Sequence, residues 1–266
     1  MTGTTSLSRV KVRHLQEGRR GWAWAIAVPI VKPILLATTK HRWIDGEKIP
    51  AEGGFLLVIN HISEVDPLIV AHIVWDHGRI PRYLAKAGLF KNKFLGFFFR
   101  SAGQIPVYRA SRDAVGAYDA AVAAVRGGKC VVVYPEGTIT RQPDLWPMTG
   151  RTGAARIALA TDAPVIPVGQ WGAQKVLAPY AKKPDLFPRK LITMKVGDPV
   201  DLSDLAGPEL TPAAINEATA RIMAALTDLV EDVRGESAPA ERFNPRTAGV
   251  SEFGNPNEGG RRGKAS

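Results

Sequence analysis

Among its 266 residues the chain has a single cysteine, Cys130, and no Cys/His cluster is visible in the sequence. A disulfide scaffold and a structural zinc site are therefore both excluded on the sequence, and a reducing, cytosolic environment is favoured. The 26 Gly and 20 Pro follow no three-residue period, and no segment repeats, which rules out collagen-like and low-complexity chains. No G-x-S-x-G elbow occurs, and Cys130 sits inside an apolar run, so the chain offers no nucleophile of the hydrolase kind. Acidic residues are missing from His77 to Arg112, where eight basic residues stand. What remains, 45% apolar side chains with six Trp and nine Phe, is enough for one sizeable core.

The net charge of +10 is unevenly placed. Residues 1–42 hold eight Lys/Arg against the single Glu17, residues 43–76 sum to −5, and everything after Arg112 balances. Both basic segments are also apolar. The first, GWAWAIAVPIVKPILLATT from Gly21 to Thr39, comes after Arg9, Lys11, Arg13, Arg19 and Arg20. Lys32, Pro29 and Pro33 make it a poor membrane span, for which about 20 apolar residues are needed, and it lacks the order of a signal peptide. It reads as one or two short helices in the membrane interface, with Trp22 and Trp24 at headgroup depth and the arginines on anionic lipid. The other reading is an N-terminal helix pair packed on the protein's own core. The second segment, AGLFKNKFLGFFFR from Ala87 to Arg100, is too rich in Phe to bury on one helical stripe, so part of it is expected to face lipid or an acyl chain. A basic surface also suits nucleic acid, but these segments are too apolar and no base-reading module is present.

Elsewhere the chain alternates between β-branched runs and helical ones, as an α/β fold does. Strands are expected at 55–60, 83–86, 105–108, 129–134, 165–170 and 191–196, with KCVVVY at 129–134 central because it is apolar on both faces. Helices are expected at 67–75, 112–126, 150–161 and 211–233, the first with Asp66 as N-cap and Pro67 at N1. From Gly235 the composition turns to Gly, Pro, Asn, Ser and Arg, and disorder is expected. The organisation is thus a basic, apolar interfacial segment (1–42), an α/β domain (43–234) and a tail (235–266).

Chemistry gathers where strands end. In NHISEVDP, directly after the first strong strand, four residues separate His61 from Asp66. That spacing lets the carboxylate accept from one imidazole nitrogen, which leaves the other as a general base. Without a nucleophile of the protein's own, the base would activate a hydroxyl on a substrate. The competing reading makes Asp66 a plain helix cap. GQIPVYR ends in Arg109, and Arg141 stands shortly after YPEGT. Arginines at strand ends suit a phosphate, Gly137 lets backbone N–H groups approach an anion, and Glu136 can accept from a hydroxyl or hold the arginines.

Taken in order, NHISEVD, GQIPVYR, YPEGT and VIPVG resemble the four motifs of the glycerolipid acyltransferase family, best known through the lysophosphatidic acid (1-acylglycerol-3-phosphate) acyltransferases. The similarity spans about residues 40 to 205. It implies an α/β fold with a mixed, mostly parallel sheet flanked by helices and an N-terminal membrane-docking helical element. It implies His61 as base and Asp66 as its orienter, and it puts Arg109, Glu136, Gly137 and Thr138 on the acceptor phosphate. Lys86 matches a family lysine near that phosphate, and Pro167 lies in the motif near the acyl donor. The expected reaction moves a fatty acyl group from acyl-CoA or acyl-carrier protein to the sn-2 hydroxyl of 1-acylglycerol 3-phosphate, giving phosphatidic acid for phospholipid synthesis. No cofactor and no metal are expected, and the expected place is the cytoplasmic face of the cell membrane, on anionic lipid. Rivals are an acyltransferase acting on glycerol 3-phosphate or on lysophosphatidylinositol, and a non-catalytic membrane-binding protein of the same fold. Tyr134 stands where many family members have Phe.

Overall fold

In the computed structural model, which describes residues 21–107, 114–207, 209–251 and 255, apolar runs bounded by Gly and Pro become strands and Ala-rich stretches become helices. The order is α1 (Gly21–Thr38), β1 (Thr39–Ile44), β2 (Phe55–Ile59), α2 (Asp66–Asp76), β3 (Pro81–Lys86), α3 (Lys93–Ser101) and β4 (Ile105–Val107). Next come α4 (Ala114–Arg126), β5 (Cys130–Val133), α5 (Gly153–Thr161), β6 (Val165–Trp171), the short α6 (Ala173–Val176), β7 (Lys190–Val196) and α7 (Pro212–Arg234).

The strands form one seven-stranded sheet in the order β1-β7-β6-β2-β5-β3-β4. All neighbours are parallel except β6 and β7. The sheet is therefore mixed and mostly parallel. At its centre Leu57 stands opposite Val132 on one side and Ile166 on the other. Side chains alternate along β2, so Phe55, Leu57 and Ile59 pack with Ile69 and Ile73 of α2, while Leu56 and Val58 pack with Ala121, Ala155 and Ile222 of α4, α5 and α7.

Three features differ from the sequence reading. β1 is absent from the expected strands, because Lys40 and Arg42 interrupt its apolar pattern. It is an edge strand whose exposed positions face away from the protein, and it pairs in parallel with β7. The boundary expected between residues 42 and 43 thus falls inside a sheet strand. The start of the expected tail is also built onto the domain. Gly235 ends α7 in the left-handed conformation, Ala238 N–H donates to Glu231 Oε1 at 2.7 Å, and Thr149 N–H donates to the Phe243 carbonyl at 2.9 Å. Lastly, Val65 rather than Asp66 is the N-cap of α2.

The N-terminal apolar segment is one continuous 18-residue helix, long and apolar enough by length and composition to cross a membrane. It runs unbroken through Pro29 and Pro33, so the reading as a helix pair is corrected to a single helix, packed on the domain along part of its surface. Trp24 stacks on Trp75 of α2 and donates its indole N–H to the Ala102 carbonyl at 3.0 Å, and Trp22, on another side of the helix, stacks on Phe97 of α3. Ile26, Ile30 and Ile34 are each more than half exposed; Ile26 and Ile30 stand at the cleft described below, and Ile34 does not. α3 divides its phenylalanines between surface and interior. Phe94 and Phe97 are 83% and 58% exposed, whereas Phe98 and Phe99 turn inward.

Candidate active site

β2 ends at the rim of the sheet, and the next two residues set the course of the loop that carries the chemistry. Asn60 is fully buried and exchanges hydrogen bonds with Gln170 at the end of β6, donating to its carbonyl at 3.1 Å and accepting from its N–H at 2.9 Å. This amide pair ties the two parallel strand ends together and holds the chain where His61 leaves the sheet. His61 Nδ1 lies 2.8 Å from Asp66 Oδ2. The same carboxylate oxygen accepts from the N–H groups of Ile62 at 2.7 Å and Ser63 at 2.9 Å. Asp66 is wholly buried in the first turn of α2 and its side chain folds back over the loop. It is therefore not a helix cap; it orients the imidazole. An acceptor on Nδ1 selects the tautomer with its proton there, so Nε2 carries the free lone pair.

The imidazole lies on the Tyr134 ring, with centroids 4.1 Å apart, and Tyr83 stacks behind it at 6.5 Å. Tyr83 donates its hydroxyl to the Pro67 carbonyl at 2.7 Å. Burial pushes both phenols well above their ordinary range, so the two tyrosines stay neutral.

Beyond His61 opens a cleft of about 1140 Å³, walled by the inner face of α1, by α2 and α3, and by the ends of β3 and β5. Its walls are mostly apolar, with Trp24, Leu68, Trp75, Leu89 and Phe98 among them. Three cationic side chains, Lys32, Lys86 and Arg151, and the first turn of α5 at Gly153 and Ala154 also face it.

The residues expected on the acceptor separate. Lys86 and Gly137 line the cleft. Gly137 has a φ of 72°, and a Cβ there would meet Arg151 Cδ and Nε at 2.7 Å, so its bareness admits the arginine. The Gly137 N–H donates to the Tyr134 carbonyl at 2.9 Å within the turn. Thr138 is half-buried and does not line the cleft. Arg109 lies outside the described residues.

Three expectations are corrected. Glu136 does not line the cleft; it is 1% exposed, accepting from the His61 N–H at 3.0 Å through Oε1 and from the Met148 N–H at 3.1 Å through Oε2. Burial raises its carboxyl to about 7, against the pull of those two N–H groups and of His61. Arg141 is buried, its guanidinium 4.9 Å from the Tyr180 ring centroid, and it is not part of the cleft wall. Pro167 is buried within β6, where its carbonyl accepts from the Gly197 N–H at 2.8 Å; it too lies away from the cleft. Sequence reasoning does not single out Arg151, Tyr134 or the Asn60–Gln170 pair as site residues. Asn60 opens the motif NHISEVD and Gln170 directly follows VIPVG, which is the available signal; Arg151 lies in none of the motifs.

A second polar cluster lies at the other end of α2. His41 of β1 meets His72 and Asp76, with Lys32 of α1 on the Asp76 carboxylate at 2.6 Å. Burial lowers both imidazoles, His72 to about 4. The lack of any Cys/His cluster along the sequence is therefore misleading, because strand and helix bring together residues far apart in the chain.

Residues 41–171 match the family model described as Acyltransferase. The chain is 27% identical over 163 residues to the 1-acyl-sn-glycerol-3-phosphate acyltransferase of Bacillus subtilis, covering 60% of this chain and 73% of that protein. It is 31% identical over 134 residues to the enzyme of the same name from Borreliella burgdorferi, covering 50% and 52%. The crystal structure of the 1-acyl-sn-glycerophosphate acyltransferase PlsC from Thermotoga maritima has the same fold, with a TM-score of 0.56 at 21% identity over 79% of this chain and 82% of that one.

Proposed function

We propose, from the match of residues 41–171 to the acyltransferase family model and the likeness to curated 1-acyl-sn-glycerol-3-phosphate acyltransferases, that the chain is a member of that family and moves a fatty acyl group from a thioester to the sn-2 hydroxyl of 1-acylglycerol 3-phosphate at a membrane surface. The observation that carries this reading is a buried carboxylate on His61 Nδ1 at 2.8 Å with the imidazole facing a large apolar cleft. His61 Nε2 takes the acceptor hydroxyl proton as that oxygen attacks the thioester carbon. Asp66 stabilises the imidazolium, and the neutral Tyr134 ring fixes its plane. The carbon–sulfur bond then breaks, the thiolate takes the proton back from Nε2, and the products are diacylglycerol phosphate and a free thiol. The step uses no metal and no covalent intermediate.

Acyl chains belong against the apolar walls of a cleft that is somewhat larger than ordinary small-molecule cavities, which run to about 1,000 Å³. The phosphate belongs where Lys86, Arg151 and the N-terminal turn of α5 face the cleft, since guanidinium forks and helix N-termini both favour phosphate oxygens. The thioester donor is acyl-CoA or acyl-carrier protein, and the basic N-terminal segment sets the enzyme on anionic lipid of the cytoplasmic membrane face. An acyl-transfer assay with purified protein, using 1-acylglycerol 3-phosphate, glycerol 3-phosphate and lysophosphatidylinositol with each donor, tests this. The expected preference is for the first acceptor, with KM for it rising at least tenfold in Arg151→Ala. Equal turnover of lysophosphatidylinositol would overturn the acceptor assignment, and no turnover of any acceptor would overturn the reaction.

A further inference from the structure

We propose that His41, His72 and Asp76 form a divalent metal site, taking Zn²⁺ in preference to Mg²⁺, which ties β1 to α2 away from the catalytic dyad. His72 and Asp76 are four residues apart on α2 and share one helix face. The parallel pairing of β1 with β7 brings His41 against them, its ring 4.9 Å from that of His72. One ligand atom from each of the three residues lies within 4.8 Å of the other two.

The hydrogen bonding of these groups is incomplete in a way a cation would complete. His41 Nδ1 and His72 Nε2 are buried with no hydrogen-bond partner. His72 is 5% exposed, and its Nε2 stands 3.3 Å from Asp76 Oδ2. Buried polar atoms in native proteins are almost always paired, so two such nitrogens beside one carboxylate are unusual. A single cation would satisfy both nitrogens and Oδ2 together. Its nearest neighbours already hold the carboxylate in place, with Lys32 Nζ 2.6 Å from Oδ1 and Trp43 Nε1 3.4 Å from Oδ2. Metal-binding carboxylates are oriented by this kind of outer hydrogen bonding.

Two imidazoles and one carboxylate suit zinc, whose sites with three protein ligands leave a fourth position to water, whereas Mg²⁺ takes oxygen ligands. Zinc–nitrogen bonds of about 2.0 Å require the ligand atoms to close to roughly 3.3 Å in a tetrahedron, which side-chain rotation supplies. His72 and Lys32 also line the cleft, which gives an ion a route in. Lys32 and Arg189 are the cations whose charge opposes it.

The test titrates the full-length, tag-free protein in detergent, stripped with EDTA, with Co²⁺ and then Zn²⁺. One Co²⁺ per chain is expected, with visible d–d absorption that Zn²⁺ abolishes and millimolar Mg²⁺ does not. His41→Gln and Asp76→Asn should weaken Co²⁺ binding at least tenfold, while His61→Ala should bind as the wild type does. Absence of the absorption band, binding well below one ion per chain, or unchanged affinity in His41→Gln and Asp76→Asn would overturn the proposal. So would loss of binding in His61→Ala, which would put the ion on the dyad. The wild-type titration decides the matter even where a variant fails to fold, and His41, only half-buried, is the mildest change.

Discussion

His61 and Asp66 are near in sequence, and the bond between them needs only the loop Ile62–Val65 to turn back, which is why the spacing alone makes it legible. The role of the pair predicts kinetics. His61→Ala should lower turnover about 10² to 10⁴-fold, the usual share of a general base, with folding unchanged by circular dichroism. Asp66→Asn should lose a comparable factor. A drop in melting temperature with intact turnover would instead return Asp66 to a structural role. Glu136, Arg141 and Pro167 are misread from the sequence because a motif gives residue type and order but not which way a side chain turns, and all three turn into the protein. Glu136 has its own signature. Its folded carboxyl titrates near 7 against about 4.5 unfolded, so the native state holds the extra proton between those values. Its contribution to stability is therefore full below about pH 4.5 and falls as pH rises through 7, by roughly 3 kcal/mol at most. Melting curves from pH 5 to 8 should show the wild type losing ground to Glu136→Gln as pH rises; parallel curves would contradict the buried-carboxyl account.

Among the elements, the strands are legible wherever both faces are apolar, as in β2, β5 and β6. β1 escapes because an edge strand shows only half an alternation. The seam between α1 and α3 is legible as two apolar, basic segments, but not as a contact, since nothing local says that Trp22 meets Phe97. Elsewhere on α3, where it meets the 87–90 turn, Gly96 is buried, and a Cβ there would run into the Phe90 carbonyl oxygen. Backbone cannot yield as a side chain does, so Gly96→Ala should lower the melting temperature by several degrees, an overpacking cost of about 1–3 kcal/mol. The outward faces make a different prediction. Ile34 and Phe97 are 54% and 58% exposed and are not part of the cleft wall. If these faces enter the headgroup region, Ile34→Ser with Phe97→Ser should weaken flotation with liposomes more than tenfold, because each buried side chain contributes about 1.5–3 kcal/mol. Turnover on detergent-dispersed acceptor should persist. Unchanged flotation would shift the membrane contact elsewhere.

For the molecule as a whole, strand order and the reversed direction of β1 and β7 lie beyond local pattern, because they depend on which crossovers pack best. On the proposed function, α1 has two roles at once. Its inner face closes one side of the cleft through Trp24 and Val31, and Lys32 neutralises the buried Asp76; its outer face is bare. Binding to anionic vesicles should therefore have two components. Attraction by the basic N-terminal segment is worth roughly 1 kcal/mol per residue near the surface and fades as salt rises, while an apolar remainder survives high salt. Removing residues 1–38 should abolish both. It should also cut turnover in detergent, although His61 and Asp66 remain, because the cleft loses a wall and Asp76 is left buried without its lysine, at a cost of several kcal/mol. Lys32→Ala separates the two roles. It should destabilise the protein to a similar degree, read as a fall in melting temperature, while leaving liposome flotation largely intact. If Lys32→Ala instead releases the protein from vesicles without changing its melting temperature, the ammonium acts on lipid and not on Asp76, and α1 is an anchor alone.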